Sequence, residues 1–197
     1  SNWNRFYPDF EKALVNIKNF LAAGKDKGLK GFIVTSWGDN GQECLFYYIF
    51  PLIVASSALA EGDENWEKYF CIFSGEDEET VDIRKLLGES MISNNLKALL
   101  YGGYEYKDMD EKSKKALYEK FDEVIEKMRY VDLPDDLSFL ERASVVCKKR
   151  LQNKLKVLDL IDLCDEYKNL WLSERKREGL ERIVGRFWKA AGLIDME

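Results

Sequence analysis

Apolar residues recur at spacings of three and four along most of this chain, which is the period of a helix with one buried face. The first such stretch follows Pro8 and Asp9 and stops near Gly24, as expected for a helix with a start signal and a glycine end. The same spacing predicts further helices over these ranges: 42–60, 66–73, 81–87, 96–100, 110–130, 139–171 and 180–188. The pattern predicts a mainly α fold, with a helical bundle as its larger part.

Two helix boundaries have alternatives in this pattern. No glycine or proline interrupts the segment between Pro134 and Gly179, so it forms either one very long helix or two helices joined near residues 152–153. One of the two asparagines at 94–95 is a candidate N-cap for a short helix that ends at Gly102.

One short segment departs from the helical period. Phe32, Ile33 and Val34 are consecutive apolar residues, and their composition predicts a parallel strand buried on both faces. Together with its flanking helices this strand forms the helix-strand-loop-helix unit of an α/β barrel. A single strand leaves its backbone hydrogen bonds unsatisfied, so we expect its partner strands to lie elsewhere. We therefore predict a remnant of a (β/α)8 barrel over residues 1–62 and a helical domain over 63–197.

The charge balance and the lack of histidine limit the ligands that the chain can bind and the reactions that it can catalyse. The net charge of -6 gives no general attraction for the phosphates of nucleic acids. The absence of histidine excludes Ser-His-Asp and Cys-His catalysis and removes the commonest zinc ligand. Any chemistry must therefore use carboxylates, amides or aromatic rings. We predict no metal site, since the carboxylates occur without a ligand cluster or calcium-loop spacing, and no cofactor is implied.

The cysteines and the longest apolar run indicate the environment of the chain. The four cysteines are irregularly spaced in apolar or helical stretches: Cys44, Cys71, Cys147 and Cys164. They are predicted to be buried free thiols, which favours a reducing, cytoplasmic location. The apolar run over 44–60 is shorter than the ~20 residues that span a membrane, and it contains Pro51. We expect a helix packed inside a fold and no membrane contact.

The loop after the predicted strand contains the most informative side chains. In an α/β barrel, functional groups follow the carboxyl ends of the strands, which is where Trp37, Asp39 and Glu43 lie. A tryptophan face stacks on the C–H face of a sugar, and carboxylates accept hydrogen bonds from its hydroxyl groups. The three residues are therefore candidate sugar-binding residues. A structural alternative places Trp37 in the core, makes 39–41 a turn, and assigns Glu43 to the first turn of the next helix.

The segment 32–44, with the sequence FIVTSWGDNGQEC, resembles the last barrel strand and the following loop of glycoside hydrolase family 20, the β-N-acetylhexosaminidases. It is similar to a branch that carries a T-x-W-G-D-x-G-x-E-C segment and ends in a helical domain. A second stretch is similar to the terminal pattern of that branch through Leu170, Trp171, Leu172, Glu174, Lys176, Gly179 and Arg186. The stretch over 63–157 is matched only by its helical character.

The resemblance implies an enzyme that removes terminal N-acetylglucosamine or N-acetylgalactosamine. It places Trp37 in the aromatic wall of the sugar subsite and makes Asp39 and Glu43 hydroxyl ligands, with Glu43 the better candidate. In this family the acetamido oxygen of the substrate attacks the anomeric carbon, and an adjacent Asp-Glu pair on an earlier barrel strand assists. The Asp-Glu dipeptides of this chain fit exposed helix starts or faces instead: Asp63-Glu64, Asp77-Glu78, Asp110-Glu111, Asp122-Glu123 and Asp165-Glu166. We expect a C-terminal portion that does not hydrolyse glycosides by itself.

Two other functions fit parts of the pattern. A helical protein-interaction module would use its aromatic stripes, including Trp66, Trp171 and Trp188, for core and partner packing and would bind no sugar. A phosphate loop is a poor fit to residues 38–41, because nearby carboxylates would repel an anion and the lysine of a Walker motif is missing. The end of a barrel without its other strands would expose apolar surface, so we expect self-association or docking onto the rest of the enzyme.

Overall fold

A computed structural model of the protein describes residues 3–38 and 42–194, without the side chains of Tyr104 and Glu105. All regular secondary structure in this described part is helical, which confirms the mainly α class. In chain order the helices are α1 (Phe10–Asp26), α2 (Phe46–Ala60), α3 (Trp66–Ser74), α4 (Glu78–Leu87), α5 (Ser90–Tyr101), α6 (Tyr104–Lys107), α7 (Glu111–Met128), α8 (Asp135–Leu151), α9 (Val157–Glu174) and α10 (Leu180–Ala190).

Local sequence sets the starts of three helices. The side chains of Asp9, Asp77 and Asp110 accept hydrogen bonds from the third backbone amide after them, at 3.0, 2.8 and 2.7 Å. Each bond satisfies an amide for which the first turn of the helix offers no acceptor. These three starts are therefore specified by residues that are neighbours in the sequence.

The start of α5 depends on a distant contact instead, and the prediction of an N-cap at residues 94–95 is wrong. The helix already begins at Ser90, whose backbone amide donates to the carboxylate of Glu11 at 2.9 Å. The Ser90 hydroxyl donates to the carboxylate of Asp9 at 3.0 Å. Glu11 of α1 thus provides an acceptor for a backbone amide in the first turn of α5, and the helix extends further toward its N-terminus than the sequence predicted.

The segment between Pro134 and Gly179 forms two helices, so the two-helix alternative is correct. The chain turns at Asn153, which has a left-handed φ of 55°. Asparagine adopts this conformation more readily than most residues. The amide of Lys154 then donates to the carbonyl of Lys149 at 2.8 Å, which ends α8 and lets α9 pack back against it.

The centre of the bundle is a cluster of aromatic rings around Tyr167 of α9. Its ring centroid lies 5.4 Å from that of Phe6, 5.7 Å from that of Phe139 and 5.9 Å from that of Phe187. All four residues are fully buried. Aromatic pairs at such distances add to the energy of burial, so this cluster joins the N-terminal segment to α8, α9 and α10.

A buried ion cluster joins the segment before α4 to α8. The Arg84 guanidinium is only 2% exposed and donates to Glu76 at 2.7 and 2.6 Å and to Asp136 at 2.7 and 3.1 Å. The hydroxyl of Tyr7 donates to the backbone carbonyl of Arg84 at 3.2 Å, across the proposed domain boundary near residues 61–63. The division into two domains stays a prediction.

The predicted buried strand is not formed in the described part of the chain. Residues 29–38 have no regular secondary structure, and Phe32, Ile33 and Val34 are 48%, 89% and 46% exposed. The physical reason is the one that the sequence suggested: a strand needs neighbouring strands for its backbone hydrogen bonds and its two faces. None lies beside this segment among the described residues.

Helices α1 and α2 precede and follow this segment along the chain and pack against each other. Tyr7, just before α1, has its ring centroid 5.0 Å from that of Tyr48 in the first turn of α2. Further along, Lys18 of α1 forms an ion pair at 3.1 Å with Glu64, which follows the end of α2. The segment joins the end of α1 to the start of α2.

None of the helices in the described ranges combines the length and the apolar character needed to cross a membrane.

Candidate functional site

The first sequence-predicted site residue, Trp37, lies on the surface. Its side chain is 62% exposed, and its indole Nε1 donates to the hydroxyl of Thr35 at 3.1 Å. Trp37 is therefore not a core residue in this structure, and much of its ring is accessible to a ligand. Asp39, the second predicted site residue, lies outside the described residues together with Asn40 and Gly41.

The third residue, Glu43, is buried and precedes α2 rather than forming its first turn. Its side chain is 1% exposed, whereas α2 begins at Phe46. One carboxylate oxygen lies 3.2 Å from the Lys97 ammonium of α5 and also contacts the Arg186 guanidinium of α10. Two cations from different helices thus compensate a carboxylate that would be costly to bury alone. Trp37 and Glu43 therefore differ sharply in their access to solvent.

The backbone around Glu43 is held by residues from the end of α9. The hydroxyl of Tyr167 donates to the Glu43 carbonyl at 2.7 Å. Burial raises the pKa of this hydroxyl well above its usual value, so it remains a donor. The Arg175 guanidinium donates to the carbonyl of Gln42 at 2.9 Å and to that of Cys44 at 2.7 Å. Three successive carbonyls are therefore satisfied by side chains that lie far away in the sequence.

Glu174 supplies the N-cap that α2 lacks locally. Leu45 stands at the N-cap position of α2 and has no side-chain oxygen. The Glu174 carboxylate accepts from the backbone amide of Phe46 at 2.8 Å and from that of Tyr47 at 3.2 Å. Carboxylates at a helix N-terminus are also favoured by the helix dipole. A residue at the end of α9 thus fixes where α2 begins.

The C-terminal turn of α9 is itself held in place. The Arg175 guanidinium lies 4.7 Å from the centroid of the Trp171 ring and forms an ion pair with Glu174 at 2.8 Å. The Trp171 indole is 4% exposed and donates to the carbonyl of Lys176 at 2.7 Å. This packing restrains the guanidinium, which at the same time donates to the Gln42 and Cys44 carbonyls.

The structure therefore brings together the two stretches on which the resemblance rests. Glu174 and Arg186, from the C-terminal stretch, contact the backbone or side chains of the segment that follows Trp37. The contacts made by Lys97, Tyr167 and Arg175 were not predicted from the sequence. Lys97 and Tyr167 follow an ordinary helical pattern and give no local signal, whereas Arg175 adjoins the Glu174 position that the resemblance had marked.

An apolar groove lies between α2 and α3, away from these contacts. It encloses about 440 Å³ and is lined mainly by apolar side chains, with Phe50, Ile53 and Phe73 among them and Glu61 and Asp63 at its polar end. Asp63 accepts a hydrogen bond from the Tyr69 hydroxyl at 2.6 Å, and this bond holds the pKa of the Asp63 carboxyl below its usual value.

No group of three or more potential ligands in the described ranges is arranged to hold a metal ion. Among the Asp-Glu pairs, Asp77-Glu78 and Asp110-Glu111 lie at the starts of α4 and α7, and residues 122–123 and 165–166 lie within α7 and α9.

Comparison of the chain with protein families, with curated proteins and with solved structures found no match.

Proposed function

We propose that this chain is the C-terminal portion of a glycoside hydrolase of the β-N-acetylhexosaminidase family, in which Trp37 forms part of the sugar subsite. The catalytic Asp-Glu pair and the other barrel strands would belong to polypeptide that precedes Ser1. The reaction would be hydrolysis of a terminal N-acetylglucosamine or N-acetylgalactosamine from a β-glycoside, assisted by the acetamido group of the substrate.

The observation that carries the proposal is an uncovered apolar segment that joins two helices packed against each other. In a (β/α)8 barrel each strand connects two helices in the same way, and its neighbours cover it. Phe32, Ile33 and Val34 are exposed between α1 and α2 in the way that such a strand would be without its neighbours. Apolar surface of this kind marks a site of association.

The position of Trp37 fits a substrate subsite in this arrangement. The residue follows the apolar segment at the end that would be the carboxyl end of the strand, where barrel enzymes bind their substrates. Its side chain is 62% exposed, so the indole offers apolar surface that can stack on the C–H groups of a sugar.

The role of Glu43 as a ligand of sugar hydroxyl groups stays a prediction, and it requires that a sugar gain access to a buried carboxylate. Its carboxylate lies between Lys97 and Arg186 and has almost no solvent access. Sugar binding by Glu43 therefore requires that the sugar reach this pocket, or that the carboxylate turn away from its cations. Its present contacts favour a role in holding the segment in place.

A helical protein-interaction module is the second candidate function. The groove between α2 and α3 favours it, because a mainly apolar groove of about 440 Å³ is able to accept side chains of a partner. This function assigns no ligand to Trp37 and predicts no glycosidase activity in any longer form of the protein.

The test measures hydrolysis by the polypeptide extended with the coding sequence upstream of Ser1. The substrates are the p-nitrophenyl β-glycosides of N-acetylglucosamine and N-acetylgalactosamine. We expect cleavage of at least one, and a fall in kcat/KM of roughly tenfold or more in Trp37→Ala, since a stacking face is lost. Trp37→Phe keeps an aromatic face and should retain part of that activity.

The matched control is Trp188→Ala, which removes a 44% exposed tryptophan from α10. Its kcat/KM should equal that of the unsubstituted protein. A folded extended protein that cleaves neither substrate would contradict the proposal and favour the interaction module. Equal losses in the two tryptophan variants would show that Trp37 acts through stability rather than through sugar binding.

A further inference from the structure

The backbone from Gln42 to Tyr47 is held by three side chains: Tyr167 in the C-terminal half of α9, Glu174 at its last residue and Arg175 just after it. We call Tyr167, Glu174 and Arg175 the α9 clamp. Tyr167 and Arg175 bind the carbonyls of residues 42–44, and Glu174 binds the amides of residues 46–47. Three carbonyls and two amides of this stretch are therefore paired with side chains that lie far away in the sequence.

We propose that the α9 clamp positions Trp37 for sugar binding, which gives the helical part of the chain a defined role in the site. The three clamp residues are positioning residues, because they contact the backbone of the segment and not the predicted ligand. The inference rests on the proposed function for its sugar, whereas the clamp itself stands on the contacts described above.

Trp37 lies next to a residue that contacts the clamped stretch. Its indole Nε1 donates to the Thr35 hydroxyl, within a segment that belongs to no helix or strand in the described part of the chain. The following residue, Gly38, lies against the side chain of Gln42, so that a Cβ atom at position 38 would overlap Cδ of Gln42. Gln42, whose carbonyl accepts from Arg175, therefore connects the clamp to the neighbour of Trp37.

The guanidinium of Arg175 suits this positioning role. Its NH1 and NH2 groups donate to the carbonyls of Gln42 and Cys44, and a planar guanidinium sets the distance between two such acceptors. A lysine at this position would keep the charge but could not hold both carbonyls in a fixed geometry. Stacking on Trp171 and the ion pair with Glu174 restrain the guanidinium further.

The side chain of Glu43 is held separately from its backbone. While the clamp binds the backbone, Lys97 of α5 and Arg186 of α10 hold the carboxylate from the other side. The same residue is thus fixed through its main chain by α9 and through its side chain by two further helices. Movement at the end of α9 should therefore be transmitted to the segment that ends at Glu43.

The first experiment measures amide hydrogen exchange in the chain as it is, over residues 42–47. The variants are Arg175→Lys and Tyr167→Phe, which keep the charge or the ring and remove hydrogen bonds. We expect exchange in this stretch to become roughly fivefold faster, the factor that corresponds to one lost hydrogen bond. Arg177→Lys is the control, because Arg177 is exposed and lies in the same turn.

The second experiment measures KM and kcat separately in the extended enzyme. A positioning role predicts that Arg175→Lys raises KM by roughly threefold to tenfold at unchanged kcat per folded molecule, since the tryptophan face is no longer held in place. A purely structural role predicts fewer active molecules and an unchanged KM. Arg177→Lys should leave both constants unchanged.

Three outcomes would overturn the inference. Unchanged exchange in both variants would show that the clamp does not fix the segment. Faster exchange with an unchanged KM would show that the clamp acts on stability and not on the sugar subsite. An unsubstituted extended enzyme without activity would remove the proposed function, and the inference with it, even if exchange were faster.

Discussion

The carboxylate of Glu174 caps α2 at Phe46, a residue that lies 128 positions earlier in the chain. Both carboxylate oxygens lie 2.8 Å from the Phe46 amide nitrogen, and one also accepts from Tyr47. Helix N-caps normally come from the residue just before the helix. Here the cap comes from the end of α9, so the start of α2 and the stability of the C-terminal helices are coupled.

We expect Glu174→Ala to lower the free energy of unfolding by about 1–2 kcal/mol, the usual effect of losing an N-cap. Urea unfolding followed by circular dichroism measures this change. Glu178→Ala is the control, because Glu178 is exposed and this substitution removes the same side-chain atoms. Equal unfolding midpoints for the two variants would show that the capping bonds contribute nothing to stability.

A second prediction concerns Gly88, which lies against the ring of Phe10. A Cβ atom at position 88 would lie 2.5 Å from Cγ of Phe10, far inside van der Waals contact, and the Phe10 amide donates to the Gly88 carbonyl at 2.8 Å. Gly88→Ala should therefore destabilise the protein by about 1–3 kcal/mol, the cost of overpacking a core. Thermal unfolding of the purified variant measures the loss.

Gly185→Ala provides the matched control for Gly88→Ala. Gly185 lies inside α10, and a Cβ atom there meets no other atom within 4 Å. The same substitution should raise stability by about 0.5–1 kcal/mol, because alanine favours a helix more than glycine does. If both variants lost stability equally, the Phe10 contact would not explain the effect at position 88.

A third prediction concerns the four free thiols. Cys44, Cys147 and Cys164 are buried, and burial raises the pKa of all three, that of Cys164 to about 11. Cys71 is only partly buried, and its pKa is raised as well. Because the thiolate is the reactive form and needs access, we expect Cys71 to be alkylated first in the native protein.

Mass spectrometry after brief treatment with iodoacetamide measures the order of labelling. The Cys71→Ser variant should take up almost no label until denaturant is added. Rapid labelling of Cys147 in the native state would contradict its burial beside the Leu96 carbonyl, to which its thiol donates at 4.0 Å. The prediction also tests the sequence-based expectation of buried thiols, which is confirmed for all of them except Cys71.

A fourth prediction follows from the N-cap aspartates of α4 and α7. Hydrogen bonds from the backbone amides of Thr80 and Ser113 lower the pKa of Asp77 and Asp110 below the usual value. A folded-state pKa that is lower than the unfolded one contributes stability above the unfolded value. This contribution is lost as the pH falls through the lowered pKa, so stability should decrease from about pH 5 downward.

Thermal unfolding between about pH 6 and about pH 3 measures this dependence. Asp77→Asn keeps a capping oxygen but cannot titrate, so the double variant with Asp110→Asn should show a flatter decline with acid. Its stability at neutral pH should change little. A decline as steep as that of the unsubstituted protein would assign the acid sensitivity to other carboxylates.

The sequence by itself predicted the helices well wherever local signals agree. The spacing of apolar residues and the caps at Asp9 and Asp110 gave α1 and α7 nearly their observed bounds, because a helix is specified by neighbours along the chain. The sequence also identified the segment around Trp37 and Glu43 as the place with candidate chemistry.

Only the tertiary structure decided what surrounds those residues. Whether Glu43 is buried depends on Lys97 and Arg186, and whether α2 begins at Phe46 depends on Glu174. Such partners lie far away in the sequence, and no periodicity connects them. The apolar segment at 32–34 is exposed for a related reason, since strands form only beside other strands. Neighbouring residues in the sequence specify where the helices form, whereas the burial of a side chain and its pairing with distant residues depend on the folded chain.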